Sequence, residues 1–189
     1  MSYAPNPEGL RSAFAAERFT FDETTIQFAL AEGGGLAVGN GKIAAGDAQA
    51  DPAPSPFTQC VPNGEYPVTL ALARFENGEE RIAYARVLLD DAPAAHWYPA
   101  LTADQDARTL KDGEIFGYAV ESGTACFASG ESRVEFTVGA GNRNYASYFA
   151  YDSSGRAVAL VTDFALVPGI RDLPGPRGNW WHRLLFFWK

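Results

Sequence analysis

Residues 65–89, EYPVTLALARFENGEERIAYARVLL, constrain the fold of this chain more than any other stretch. Tyr66, Val68, Leu70 and Leu72 recur at every second position, so they share one face of a strand, while Thr69 and Ala71 take the other. Asn77-Gly78 is the residue pair that closes tight hairpins, and RIAYARVLL returns. A helix would scatter these apolar side chains around its circumference, whereas two antiparallel strands bury them together.

The same period continues elsewhere. TTIQFALAE (24–32) reads as a strand, and GGGLAVGNGKIAAGD (33–47) as further strands broken by a hairpin turn at Gly39-Asn40-Gly41. Strands resume at EIFGYAVE, TACFAS, SRVEFTVG, NYASYFAYD and RAVALVTDFAL, with a hairpin turn at Asp152–Gly155. ADPAPSPF (50–57) is a proline-punctuated loop, because proline cannot donate to a central ladder. Residues 90–113 are polar and irregular, with one helical turn predicted in TADQDARTL. At the start, Asn6-Pro7-Glu8 offers a capping side chain, a proline at the first helical position and a first-turn acid. The helix runs on for two or three turns, with Leu10, Ala13 and Phe14 inward. The fold class is mainly β: an antiparallel β-sandwich or open barrel with a short N-terminal helix and a C-terminal aromatic helical tail. Residues 1–167 form a single domain, 168–179 a Pro/Gly linker and 180–189 the tail.

GNGKIAAGD, VPNGEYPVTLALARF, RIAYARVLL, GYAVESGTACF and YASYFAYDSSGRAVALVTDF together resemble the bacterial family called domain of unknown function 4241. The family pattern has an acid-Ser-Gly-Thr-Gly-Cys-Phe turn, a later acid and a helix, and a closing Thr-Asp-Phe. Here the turn acid is Glu121, Ala125 replaces the small Gly, and Ser129 replaces the later acid. GESRV leads straight into a strand. The resemblance implies a fold and a bacterial source, and no activity.

The turn VESGTACF carries the chemistry most open to interpretation. A serine nucleophile elbow needs glycine two residues before the serine, and Val120 stands there, before Glu121-Ser122-Gly123. Cys126 alternates with core residues and is read as one, although a neighbouring cation would activate it. Asp47, Glu65, Glu121 and Asp163 fall at strand ends, where they either cap turns or converge at a rim for acid–base or cation chemistry. If the protein is an enzyme, Asp47, Glu121, Asp163 and Cys126 are its candidate groups. His96 and His182 with Cys60 and Cys126 lack zinc-site spacing, so no metal and no cofactor is expected. Gly39–Lys42 lacks phosphate-loop spacing, because Ile43 follows the lysine.

Charge narrows the partners. The chain carries −8 overall, but residues 174–189 hold Arg177, Arg183 and Lys189 with no acid, leaving −11 on the rest. An acidic body excludes nucleic acid as the main partner and suits a basic protein. No secretory leader is apparent and no stretch is long enough to span a bilayer, so a cytoplasmic location is expected. In the tail, Trp180, Trp181, Leu184, Phe187 and Trp188 form a broad apolar surface. It has three readings: docking on its own domain, contact with a protein partner or a second copy, and, with least weight, lying on a membrane surface. The expected function is a non-catalytic bacterial protein-binding module that neutralises or scaffolds a partner. The alternative is a hydrolase or metal-dependent enzyme using the strand-end carboxylates.

Overall fold

The structure is a computed structural model describing residues 5–21, 23–111, 114–138 and 143–167. The linker and the aromatic tail, Trp180 to Trp188 included, lie outside the described residues.

Helix α1 spans Pro7–Phe14, and the Asn6 side chain accepts from the backbone N–H groups of Glu8 and Gly9, as the capping pattern predicts. Eleven strands follow among the described residues: β1 Arg18–Phe21, β2 Thr24–Val38, β3 Ala44–Asp47, β4 Gly64–Arg74, β5 Glu80–Leu88, β6 His96–Pro99, β7 Tyr118–Val120, β8 Thr124–Ser129, β9 Ser132–Thr137, β10 Arg143–Tyr151 and β11 Ala157–Asp163. All pairings are antiparallel. The larger sheet runs β1-β2-β4-β5-β11-β10 and ends in β6 and β7, which pair with different stretches of β10. It curls as a half-barrel. A smaller sheet, β3-β8-β9, carries the conspicuous turn.

The β4–β5 hairpin forms as its alternation dictates. Val68 and Leu70 enter the core between the two sheets, with Tyr66 and Leu72 packed at its margin. Ala71 and Ala73 face the second core, under α1, where Leu10 and Ala13 meet Ile26, Phe28 and Tyr84. Small side chains on that face leave room for the helix. Because the middle strands are buried on both sides, β10 and β11 carry near-continuous apolar runs.

Three expectations need correction. The glycine run 33–35 does not start a new strand: it lies inside β2, where the register against β4 shifts between Glu32 and Gly34. Gly34 has φ +111, a conformation that favours glycine, so the bulge bends the strand without ending it. The Gly39–Gly41 turn is therefore no hairpin: β2 pairs with β4, and the turn carries the chain across to the smaller sheet. Residues 96–99, expected as irregular chain, pair with Tyr148–Tyr151 as an edge strand. Four residues are too few to show a period.

Candidate functional site

Asp47 ends β3, and the turn Glu121–Gly123 links β7 to β8. Pairing of β3 with β8 puts Gly46 opposite Cys126 and brings the carboxylate to the turn. Asp47 Oδ2 accepts from the backbone N–H of Glu121 at 2.6 Å and of Ser122 at 2.7 Å. Its Oδ1 accepts from the Ser122 hydroxyl at 2.6 Å and the Gln49 N–H at 2.8 Å. These bonds, the Ser122 hydroxyl first, hold the carboxyl far below the ordinary aspartate value. Both oxygens are engaged in closing a turn, and Ser122 Oγ receives the Thr124 N–H in addition. The serine and the acid thus hold the chain reversal together.

Asp163 stands apart. It ends β11 opposite Tyr84 and Ala146, is 4% exposed, and accepts through Oδ1 from the Ala165 N–H at 2.8 Å. Its Oδ2 is buried with no hydrogen-bond partner among the described residues. Burial pushes this carboxyl up to about 7, the Ala165 bond only partly offsetting it. Asp47 and Asp163 therefore diverge in acidity by environment, one saturated with donors and the other deprived of them.

Cys126 is fully buried on the face of the smaller sheet turned away from the inter-sheet core. Burial pushes its thiol up, and the hydrogen bond and charge of Arg133 oppose this only in part. Glu121 and Glu65 have exposed side chains, and Cys60 is exposed. His96, on the β6 edge, is exposed beside Tyr98 with ring centroids 6.5 Å apart. All four acids sit at strand ends, but among the described residues no group of three or more His, Cys, Asp or Glu side chains is placed to hold a metal ion. A buried hydroxyl trio, Tyr118 to Thr162 at 3.1 Å and Ser147 to Thr162 at 2.7 Å, ties β7, β10 and β11 together. No helix among the described residues is long and apolar enough to cross a membrane.

Sequence reasoning missed a groove of about 280 Å³ on the outer face of the smaller sheet. The proline loop forms one wall, and Lys42 and Arg133 lie in its lining. The signal in the sequence is the Asn40-Gly41-Lys42 turn, which puts an amide and an ammonium side by side. A model of the family described as Protein of unknown function (DUF4241) matches residues 36–137, a span that includes β3, β8, β9, the Asp47 turn and this groove. No curated protein and no solved structure matches the chain.

Proposed function

This chain belongs to the DUF4241 family, and from that premise we propose that it is a non-catalytic protein-binding module that neutralises or scaffolds a bacterial partner. The observation that carries this reading is the engagement of the candidate catalytic groups in the fold itself. Asp47 and Ser122 close a turn through four short hydrogen bonds to the carboxylate. Cys126 is wholly buried with its thiol pushed toward the protonated form. A nucleophile or general base needs the opposite: access to substrate and an unused lone pair.

The charge distribution supports a protein partner, since −11 on residues 1–173 favours a basic surface by electrostatic complementarity. The proposal gives the aromatic segment 180–189 the role of principal contact with the partner or with a second copy. The rival enzyme reading draws on Asp163, whose carboxyl, pushed up to about 7 by burial, would keep a proton for general-acid work near neutral pH.

The test compares the full chain with a variant lacking residues 178–189. Expression in a bacterial host, crosslinking and sedimentation should give one stoichiometric partner or dimer, lost on deletion with the melting temperature unchanged. A large fall in melting temperature without loss of any complex would assign the tail to its own domain. Hydrolytic turnover abolished by Asp163→Asn would establish the rival.

A further inference from the structure

The groove on the outer face of the smaller sheet has a floor of small side chains, a proline wall and a polar margin that includes Asn40, Lys42 and Arg133. Ala44 and Ala128 are cross-strand partners on that floor, and Arg133 pairs with Ala128 from β9. Pro54 and Pro56 form the wall, anchored by the bridge between Pro56 and Ala44 and by the Phe57 N–H donating to Ile43. The wall sits close because residue 46 is glycine: a Cβ there would lie 2.4 Å from Pro54 Cγ. The site is thus built from strands and prolines and needs little ordering to receive a ligand.

Its polar groups offer hydrogen atoms. Asn40 Oδ1 accepts from the Lys42 N–H at 3.0 Å and from the Ser129 hydroxyl at 3.2 Å, so its amide N–H₂ is the part left to serve a ligand. Lys42 Nζ donates one of its three protons to the Thr58 carbonyl. Arg133 Nε lies 3.5 Å from Glu135, and the guanidinium side chain is 35% exposed. Glu131 is the acid in the lining, and Glu135, next along the same face of β9, pairs with Arg133. Glu131 and Glu135 balance Lys42 and Arg133 in formal charge, so the groove selects an acceptor by its directed N–H groups rather than by net charge.

We propose that this groove binds the carboxylate of a small, partly apolar ligand. Arg133 and Lys42 meet the carboxylate, Asn40 donates from the side, and the apolar body lies over Ala44 and Ala128 against the prolines. A guanidinium offers two parallel N–H groups that match a carboxylate, and an apolar floor adds affinity that a bare inorganic ion cannot use. The proposal is independent of the tail contact described above, because no groove residue belongs to the tail.

The test uses isotope-labelled full-length protein at pH 7 and low salt, titrated with N-acetyl-dialanine. Its C-terminal amide serves as a neutral control of the same shape, and inorganic phosphate as a control for charge alone. The acid should give saturable amide shifts confined to residues 40–44, 53–58 and 126–133, with the neutral amide at least tenfold weaker. Arg133→Gln and Lys42→Gln should each weaken the acid at least tenfold. If Arg133→Gln fails to fold, the Lys42 variant and the neutral amide still decide. Equal binding of acid and amide, equal affinity for phosphate, shifts outside the groove, or no saturation by 50 mM would each overturn the proposal.

Discussion

Replacing Asp163 by Asn should stabilise the protein at pH 8 and leave it nearly unchanged at pH 4. The carboxyl sits at about 7 in the fold against an ordinary value of 3.8, and burial is the leading cause. At 1.36 kcal/mol for each tenfold in acidity, that difference corresponds to about 4 kcal/mol. The sign follows from proton counting. Between pH 3.8 and 7 the folded chain keeps this proton and the unfolded chain has lost it, so stability falls as pH rises through the window. Above the window the fold carries a buried carboxylate with one oxygen lacking any hydrogen bond among the described residues. Asparagine keeps an acceptor for the Ala165 N–H and removes the charge. The gain at pH 8 is bounded by about 4 kcal/mol, and relaxation around the new amide should reduce it to about 1–3 kcal/mol. Urea unfolding of both proteins at pH 4, 5, 6, 7 and 8 measures the gap. A gap that does not vary with pH, or that favours the wild type more at pH 8 than at pH 4, refutes the reasoning.

Asp47→Ala removes the acceptor of four hydrogen bonds and should cost about 3–5 kcal/mol at pH 7. Here the folded carboxyl is lowered, so its contribution is present above pH 3.8 and is lost as pH falls below it; urea unfolding showing a gap under about 1 kcal/mol would be evidence against the turn-closing role. Thiol labelling of the native protein with a chromogenic disulfide should modify Cys60 rapidly and Cys126 only on unfolding. Simultaneous labelling of both would contradict the inert buried thiol.

The hairpin of β4 and β5 was legible because its period, its turn pair and its faces all agree within 25 residues. The aromatic strand 145–151 was legible in the same way: Tyr145 and Phe149 face the inter-sheet core and Ala150 the helix side, as alternation requires. The glycine run in β2 was misread because sequence shows glycine's freedom and not its use, and a bulge and a turn look alike until the partner strand is known. Asp47 and Ser122 were each visible as turn residues, but nothing local says that one closes the other's turn. The divergence of Asp47 and Asp163 was hidden for a related reason. Both are strand-end aspartates, and only packing tells a carboxylate ringed by N–H groups from one buried with an oxygen that no donor among the described residues reaches. Lys42 and Arg133 were overlooked because isolated cations carry no pattern; their meeting depends on β3, β8 and β9 lying side by side.

The bond between Asp47 and Ser122 spans 75 positions of chain, and this has a kinetic consequence. The β4–β5 and β8–β9 hairpins close over a few residues and can form in microseconds. Strand β3 must instead find β8 across the whole intervening chain, a closure whose entropic cost is offset only once the ladder and the carboxylate bonds are made. The smaller sheet should therefore be completed late, and Asp47→Ala should act mainly by speeding unfolding rather than by slowing folding. Stopped-flow denaturant jumps separate the two limbs; a loss confined to the folding limb would place this closure in the nucleus. Until β3 arrives, β8 presents an unpaired edge whose apolar residues invite a neighbouring chain. Yield in the cell then depends less on the final stability of the fold than on how long that edge stays open.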